Sequence, residues 1–356
     1  MPAIVLVALA FAPADALASH VECGDRVTRD VRLDADLVNC RGNGLTVAAD
    51  GITIDLGGHV VDGIGRGAGI FNGQWGDGRR DVTVRNGTVR GFNVGVRSGA
   101  RGTHIVGLKV TRNAAGGIVL RSRECRVERN VVTDNGYGHG IFVGGVSQCR
   151  IVGNRVARHL GAGIEASRSR AHVIERNTVT GNRQAGILLA GTAAVRVTRN
   201  RVHANAGPGI WLFDGASASH VLANTVAANG SGIAVSLGGA ANRVEDNSVS
   251  GSREAGIRLA ETGHGNVVAG NLVALSGEDG IRLAESPAAR VERNSVHDSR
   301  ADGIFVSAPG VTVVANTASH NGDDGIDVED RWVTLSANVT EHNGDLGIEM
   351  PAEPLL

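Results

Sequence analysis

The stretch that decides the fold is RVERNSVHDSRADGIFV, Arg290–Val306, because its spacing recurs along the chain. The stretch RVEDNSVSGSREAGIRL, Arg243–Leu259, has Val, Asn, Val and Gly-Ile at the same positions. Most of the residues between these shared positions differ. The repeated asparagine returns every 22 to 24 residues, at positions 130, 154, 177, 200, 224, 247, 271, 294, 316 and 338. A repeat of this period is typical of a solenoid.

Each repeat carries three short apolar stretches, none long enough for a helix. Around Asn130 they lie at Val127, Val132 and Ile141. Three short strands separated by polar bends predict one coil of an all-β, single-stranded parallel β-helix. The repeats predict about 12 coils stacked ~4.8 Å apart. A single coil buries no core of its own, so the inward Val and Ile must form columns shared by neighbouring coils.

The repeated asparagines predict a second stabilising column. An Asn amide can donate to one neighbouring coil and accept from the other, which builds a ladder of hydrogen bonds. We also expect these asparagines to adopt the left-handed backbone conformation at a bend. A second polar column predicts another bend, and it comprises Asn135, Asn182, Asn205, Asn229, Ser252, Ser276, Ser299, Asn321 and Asn343.

Composition and charge restrict the function classes. The 356 residues include 52 Gly and only 3% aromatic residues, so the apolar mass is mainly Val, Ile, Leu and Ala. Positions 79–202 carry 22 basic and 6 acidic residues, whereas positions 278–356 carry 5 basic and 15 acidic residues. The basic half predicts attraction to polyanions. It lacks the interleaved aromatic residues of single-stranded nucleic-acid grooves, so we expect no nucleic-acid partner.

The first residues predict export. An apolar run, Pro13 and the small-residue site at Ala16–Ala18 indicate a signal peptide over 1–18, and therefore a secreted protein. No later apolar run approaches the ~20 residues of a membrane span, so we expect no membrane partner. We also expect the protein to be a monomer. We expect an N-terminal cap over 19–44 with a Cys23–Cys40 disulfide, the β-helix over 45–350 and a tail over 351–356.

The two remaining cysteines test the coil register. Cys125 precedes Asn130 by five residues and Cys149 precedes Asn154 by five, so both occupy the same place in adjacent coils. Their Cα atoms should therefore lie about one strand spacing apart, within the ~4.4–6.8 Å range of disulfides. Either a disulfide or a pair of buried thiols fits this adjacency.

The segment GITIDLGGHVVDG, Gly51–Gly63, and the Cys-Gly segment before it resemble secreted bacterial β-helix proteins of the pectin-lyase-like superfamily. The resemblance implies a right-handed parallel β-helix over Cys23–Met350. That superfamily includes lyases, hydrolases, epimerases, adhesins and proteins without known activity, so the fold leaves the function open.

Outward positions of the Gly-Ile strand vary along the rod and predict a binding face. Phe142 and Trp211 lie there, and sugar rings stack on such aromatic side chains. Arg121 and Arg168 lie nearby and can neutralise the carboxylate of a uronate sugar. The alternative is that these aromatics are isolated apolar residues on an ordinary surface.

A candidate catalytic group comprises Tyr137, His139 and Glu165. The first two stand in NGYGHGI, directly before a Gly-Ile strand, and Glu165 projects one coil later. His with Tyr can abstract and return a proton at a sugar carbon. The motif is similar to the Tyr-Gly to Pro-His motif of mannuronan epimerases but lacks its Asp-Pro. A bend with an exposed His is the alternative.

A second candidate site is acidic. Asp279, Asp302 and Asp324 precede the repeated Gly in three consecutive coils. Carboxylates stacked ~4.8 Å apart raise one another's pKa or share a hard cation such as Ca²⁺. The alternative is that each Asp accepts backbone hydrogen bonds at its turn.

Taken together, these features predict a secreted β-helix that binds an acidic polysaccharide and processes it by lyase or epimerase chemistry. No cofactor is required for that chemistry, with Ca²⁺ as the one candidate ion. Two other functions stay open: a non-catalytic carbohydrate-binding or adhesive module, and a glycoside hydrolase that uses the clustered aspartates.

Overall fold

The computed structural model describes residues 20–351, and every regular element in this range is a β-strand. The predicted signal peptide over 1–18 and residues 352–356 of the predicted tail lie outside the described residues. Successive strands belong in turn to three faces of a solenoid, here named A, B and C, and all strand pairs within a face are parallel. The solenoid has about 14 turns, slightly more than the predicted 12.

Face A is a sheet of 15 strands, most of which begin at the Ile of Gly-Ile. Its strands are Arg26–Val27, Leu45–Val47, Ala68–Asn72, Val94–Ser98, Gly116–Leu120, Ile141–Gly144, Ile164–Ser167, Ile187–Ala190, Ile210–Phe213, Ile233–Ser236, Ile257–Ala260, Ile281–Ala284, Ile304–Ser307, Ile326–Val328 and Ile348–Glu349.

Face B carries the Arg-Val-Glu stretches. Its strands are Val31–Arg32, Thr53–Asp55, the first parts of Thr83–Arg90 and His104–Thr111, Arg126–Glu128, Arg150–Val152, Val173–Glu175, Arg196–Thr198, His220–Leu222, Arg243–Glu245, Val267–Ala269, Arg290–Glu292, Thr312–Val314 and Thr334–Ser336.

Face C follows the repeated asparagine. Its strands are Leu37–Cys40, Val60–Gly63, the second parts of Thr83–Arg90 and His104–Thr111, Val131–Thr133, Arg155–Ala157, Thr178–Thr180, Arg201–His203, Thr225–Ala227, Ser248–Ser250, Leu272–Ala274, Ser295–His297, Thr317–Ser319 and Val339–Glu341. The first coil already has one strand in each face, so the predicted cap over 19–44 contains a coil of the helix.

The core consists of the predicted aliphatic columns. Val127, Val132 and Ile141 are fully buried and are matched by Val or Ile in the next coil. The Gly before each Ile is required by this packing. A Cβ atom on Gly186 would overlap the side chain of Val202 and come within 2.7 Å of the Gly209 carbonyl oxygen.

The asparagine ladder forms as predicted. Asn200 donates from its backbone N–H and from Nδ2 to Oδ1 of Asn224, at 2.9 and 3.0 Å, and Asn224 donates in the same way to Asn247. The expected left-handed conformation was assigned to the wrong residue. It falls on the residue before each Asn, for example Arg199 at φ 54° and Ala223 at φ 54°, and the ladder asparagines themselves have no positive φ.

His159 completes the second ladder between Asn135 and Asn182. Its Nδ1 accepts the N–H of Asn135 at 3.3 Å, and its backbone N–H donates to Oδ1 of Asn182 at 3.1 Å. Burial lowers the pKa of His159 to about 4, so the ring is neutral near pH 7. A neutral imidazole therefore takes the place of an amide in the column.

Both cysteine pairs form disulfides. Cys125 and Cys149 are joined across adjacent coils with Cα atoms 4.4 Å apart, which confirms the predicted coil register. Cys23 and Cys40 are joined within the first coil. Within residues 20–351 no helix is long and apolar enough to span a membrane.

The ladder makes a prediction about stability. Asn224→Ala removes the acceptor of two hydrogen bonds from Asn200 and leaves the backbone N–H of Asn200 buried without a partner, whereas Nδ2 keeps the Ile174 carbonyl oxygen. We expect the free energy of unfolding to fall by about 2–4 kcal/mol, measured by urea denaturation. Thr225→Ala, at an exposed position of the adjoining strand, is the control. Equal stability of the two variants would contradict a stabilising role for the ladder.

Candidate functional site

Two adjoining grooves lie over the turns that lead from face A to face B. Their volumes are about 660 Å³ and 560 Å³, and they share Arg123, Gly145 and Val146. Seven arginines and two aspartates line them. We call this surface the arginine groove, and its charged residues are Asp50, Arg79, Arg80, Arg101, Arg121, Arg123, Arg168, Arg170 and Asp214.

Most of these arginines have no carboxylate partner in the part of the chain that the structure describes. Only Arg80 and Arg101 form ion pairs, with Asp50 at 3.5 Å and with Glu124 at 2.9 Å. Arginines elsewhere on the rod are often paired, for example Arg85 with Asp55 at 3.1 Å. Within residues 20–351 the groove therefore holds five arginines that form no ion pair.

Arg121 lies between two aromatic rings at one end of the arginine groove. Its guanidinium carbon is 3.5 Å from the ring centre of Trp75 and 5.7 Å from that of Phe142. The Phe142 ring lies across Gly144, where a Cβ atom would overlap it. Burial, followed by the nearby charge of Arg97, lowers the pKa of Arg121.

Trp75 was not identified from the sequence. It lies in the irregular loop between Asn72 and Arg79, outside the repeat, and is 70% exposed. The only feature of the sequence that could have indicated a role for Trp75 is that an aromatic residue stands in a glycine-rich insertion. Its position beside Arg121 depends on the path of that loop, which the repeat does not specify.

The structure brings His139 and Glu165 together on face A. His139 Nε2 lies 2.8 Å from Glu165 Oε2, and Nδ1 accepts the N–H of Ala162 at 3.1 Å. Because Nδ1 is an acceptor, the ring proton is on Nε2 and is donated to the carboxylate. The His139 ring also stacks on Phe142 with ring centres 5.9 Å apart. This contact joins the His139–Glu165 pair to the aromatic end of the groove.

Two predicted site residues have different surroundings. The Tyr137 side chain is 86% exposed, and within the described residues its hydroxyl forms no hydrogen bond to His139 or Glu165. Trp211 is half-buried rather than freely exposed, because its ring packs on Phe213 and its Nε1 donates to Ser236 Oγ at 2.9 Å. On face A, Trp211 pairs in register with Leu188 and Ala234 of the neighbouring strands. The predicted Arg168 lies elsewhere, in the lining of the arginine groove.

The aspartates of the acidic cluster form a ladder of their own. Asp279 Oδ1 accepts the N–H of Asp302 at 3.2 Å, and Asp302 Oδ1 accepts the N–H of Asp324 at 3.0 Å. All three residues are buried. These bonds give each carboxylate the structural role of an Asn in the other ladders. Asp279 also forms an ion pair with Arg282 at 2.7 Å.

Two groups of carboxylates at this end could hold a cation. Ligand oxygens of Asp302, Asp323 and Asp324 lie within 4.8 Å of one another, as do those of Asp324, Asp327 and Glu349. Asp279 belongs to neither group. The predicted Ca²⁺ site is therefore centred on Asp302 and Asp324 and stays a prediction.

Burial raises the pKa of Asp302 to about 6, and the negative charges of Asp279, Asp327 and Asp323 act in the same direction. The backbone hydrogen bond from Asp324 opposes them. A raised pKa means that the protonated carboxyl stabilises the fold, and this contribution is lost as the pH rises through about 6.

Comparison with known families identifies the fold. Residues 35–173, 69–226, 135–273 and 231–353 each match the profile described as the right handed beta helix region. The chain belongs to this right-handed β-helix family. Membership confirms the right-handed parallel β-helix expected from the sequence. Comparison with curated proteins gives no match.

Several solved structures share this β-helix. A mutant of the periplasmic alginate epimerase AlgG has a TM-score of 0.53 at 13% identity, over 85% of this chain and 77% of its own. The A-module of the Azotobacter vinelandii mannuronan C-5 epimerase AlgE4 has 0.45 at 14%, over 93% and 90%. The catalytic unit of an α-1,3-glucanase from Streptomyces thermodiastaticus strain HF3-3 has 0.48 at 16%, over 91% and 63%. At such identities the similarity shows the fold alone.

The acidic ladder of this β-helix makes a pH prediction. Asp302→Asn keeps the acceptor for Asp324 and removes the charge, so we expect a higher melting temperature than the wild type at pH 7.5 with a chelator present. Because the wild-type carboxyl is protonated in acid, the difference should disappear below pH 4. Calcium tests the cation site in the same assay, since it should raise the melting temperature of the wild type alone. A variant less stable than the wild type at pH 7.5 would contradict the assignment.

Proposed function

We propose that the protein binds an acidic polysaccharide along the arginine groove. The observation that carries the proposal is the set of five groove arginines without a carboxylate partner among the described residues: Arg79, Arg121, Arg123, Arg168 and Arg170. Guanidinium groups bind carboxylate and sulfate oxygens through paired, charge-assisted hydrogen bonds. A linear polyanion supplies such groups at regular intervals along an open groove.

The aromatic residues at one end of the groove support a sugar ligand in particular. Trp75 and Phe142 offer apolar faces next to Arg121, and sugar rings stack on such faces while their charged groups reach a neighbouring cation. The fold agrees with this proposal, since an alginate epimerase shares it. Two disulfides fit an extracellular or periplasmic location, where acidic polysaccharides occur, and secretion is part of the proposal.

Processing of the polymer is the second candidate function, and the His139–Glu165 pair favours it. Both nitrogens of His139 already have protein partners, so the second oxygen of Glu165 is the group available to remove a proton. Removal of the proton beside a uronate carboxylate leaves an electron pair that is delocalised into that carboxylate, where Arg121 would neutralise it.

Two products follow from the same intermediate. Return of a proton to the opposite face gives the epimer, and departure of the neighbouring glycosidic oxygen with its bonding electrons gives an unsaturated chain end. Tyr137 is free to act as the proton donor only if substrate binding orders its exposed side chain over the sugar.

Binding is tested on pectate, alginate and hyaluronan against neutral glucans. We expect retention on the uronate polymers alone, weakening as salt rises because exposed charges are screened over ~10 Å at 0.1 M. Arg123→Gln with Arg168→Gln should lower the affinity by about tenfold or more. Arg155→Gln with Arg201→Gln removes the same charge from face C and should have little effect. Equal retention of charged and neutral polymers, or equal effects of the two double variants, would refute the proposal.

Turnover is tested with the same polymers. Unsaturated ends are followed by ultraviolet absorbance, inversion by proton NMR and hydrolysis by reducing ends. Glu165→Gln keeps an acceptor for His139 and removes the base, so it should abolish lyase or epimerase turnover while binding persists. Binding without turnover in the wild type would identify a non-catalytic module. Loss of hydrolysis in Asp302→Asn and Asp324→Asn, with Glu165→Gln active, would instead identify a hydrolase.

A further inference from the structure

A small pocket lies at the aromatic end of the arginine groove, beneath the loop that carries Trp75. Its volume is about 80 Å³, enough for a group of a few non-hydrogen atoms. The residues that line it are Gln74, Trp75, Arg97, Ser98, Val119 and Arg121. None of them is acidic, and two carry a positive charge.

The two arginines of this pocket come from adjacent coils. Arg97 pairs in register with Val119, and the backbone N–H of Arg121 donates to the Ser98 carbonyl at 2.8 Å. Neither arginine forms an ion pair within residues 20–351. Two like charges therefore stand close together without a counter-charge from the protein. Such an arrangement costs free energy unless a ligand supplies the missing charge.

The lack of a hydrogen-bond partner is clearest at Arg97. Its Nε is buried from solvent and has no hydrogen-bond acceptor among the described residues. Buried donors of charged groups are nearly always hydrogen-bonded, because leaving one unpaired forfeits its hydration without replacement. Arg97 therefore lines the pocket and also carries a donor that has no acceptor among the described residues.

The loop over the pocket is held in place by its own hydrogen bonds. Asp77 Oδ1 accepts the N–H groups of Gln74 and Trp75 at 2.7 and 3.2 Å, and Asn72 Oδ1 accepts the N–H of Arg79 at 2.7 Å. A Cβ atom on Gly99 would come within 2.6 Å of the loop backbone, so Gly99 allows this close packing. The pocket is therefore a built feature rather than a gap between mobile side chains.

We infer that this pocket binds a single oxyanion group, the carboxylate of a uronate or the sulfate of a sulfated sugar. The guanidinium groups of Arg97 and Arg121 donate to its oxygens, and the Trp75 indole covers both the anion and the sugar that bears it. The inference rests on the proposed function for the sugar, but the anion site itself stands on the two arginines.

Trp75 provides a direct readout, because the chain has 3 Trp and therefore three indole N–H signals in a ¹⁵N-correlated NMR spectrum. Trp75→Phe identifies its signal. Sodium sulfate and sodium galacturonate should each shift that signal saturably at constant ionic strength, whereas sodium chloride and neutral galactose should not. A larger effect of one oxyanion assigns the pocket to that group. An unchanged Trp75 signal with both oxyanions overturns the inference.

Variants of Arg97 test whether this residue binds the anion. Arg97→Gln should weaken sulfate or galacturonate binding at least tenfold, and Arg97→Lys, which keeps the charge without the guanidinium fork, should weaken it less. Arg155→Gln, at an exposed position of face C outside both the pocket and the arginine groove, should leave small-anion binding unchanged. Equal binding by wild type and both Arg97 variants, each with wild-type melting temperature, overturns the inference.

The polymer assay distinguishes this failure from failure of the proposed function. Retention on uronate polymers without a response to small anions would refute the pocket alone. A saturable response to sulfate or galacturonate without polymer retention would refute the proposed function and leave the pocket in place.

Discussion

The asparagine ladder is the interaction on which the rest of the structure depends. A single coil of this helix buries no core, so the fold exists only if neighbouring coils keep a fixed register. Each Asn sets that register through two donors to the same oxygen of the next coil, as Asn200 does with Asn224. Because the register is fixed, an outward side chain is placed within one strand spacing of its counterparts in the adjacent coils. The surface of the rod is therefore specified column by column.

This dependence explains what the sequence could predict. The repeat spacing predicted the strands, the inward columns and the adjacency of Cys125 and Cys149, because all three follow from register alone. It did not predict which residue takes the left-handed conformation, since Asn tolerates that conformation but the residue before each repeated Asn adopts it. Nor did it predict Trp75, which lies in an irregular loop whose path is set by hydrogen bonds to Asp77. The candidate site therefore combines residues at repeat positions, such as Phe142, with the loop that carries Trp75, which lies outside the repeat.

The same limit applies to charge: the sequence gives the number of arginines, but only the structure shows which of them are paired with a carboxylate. The excess of arginine over 79–202 was evident from the sequence, but an arginine beside an acidic neighbour contributes little free charge. Arg150, for example, lies 3.9 Å from Glu175, whereas Arg123 has no such partner in residues 20–351. Pairing depends on which residues share a column or a bend, and it decides which part of the basic half is available to a ligand. Five of the arginines without an ion pair among the described residues line one groove on the turns between faces A and B, whereas others, such as Arg155 and Arg201, lie on the strands of face C.

The distribution of charge would also limit the length of a polyanion bound as proposed. The arginine groove follows seven successive turns, from the loop around Trp75 to the turn around Asp214, or roughly 30 Å at the coil spacing. Farther along, the Asp279–Asp302–Asp324 ladder adds buried carboxylates in the bends before face A, and burial together with the neighbouring negative charges raises the pKa of Asp302. A polyanion bound as proposed would gain contacts with each turn of the groove and would meet a predominantly acidic rod beyond it. Its footprint would then be set by the charge pattern of the protein, because the rod itself continues well beyond the groove.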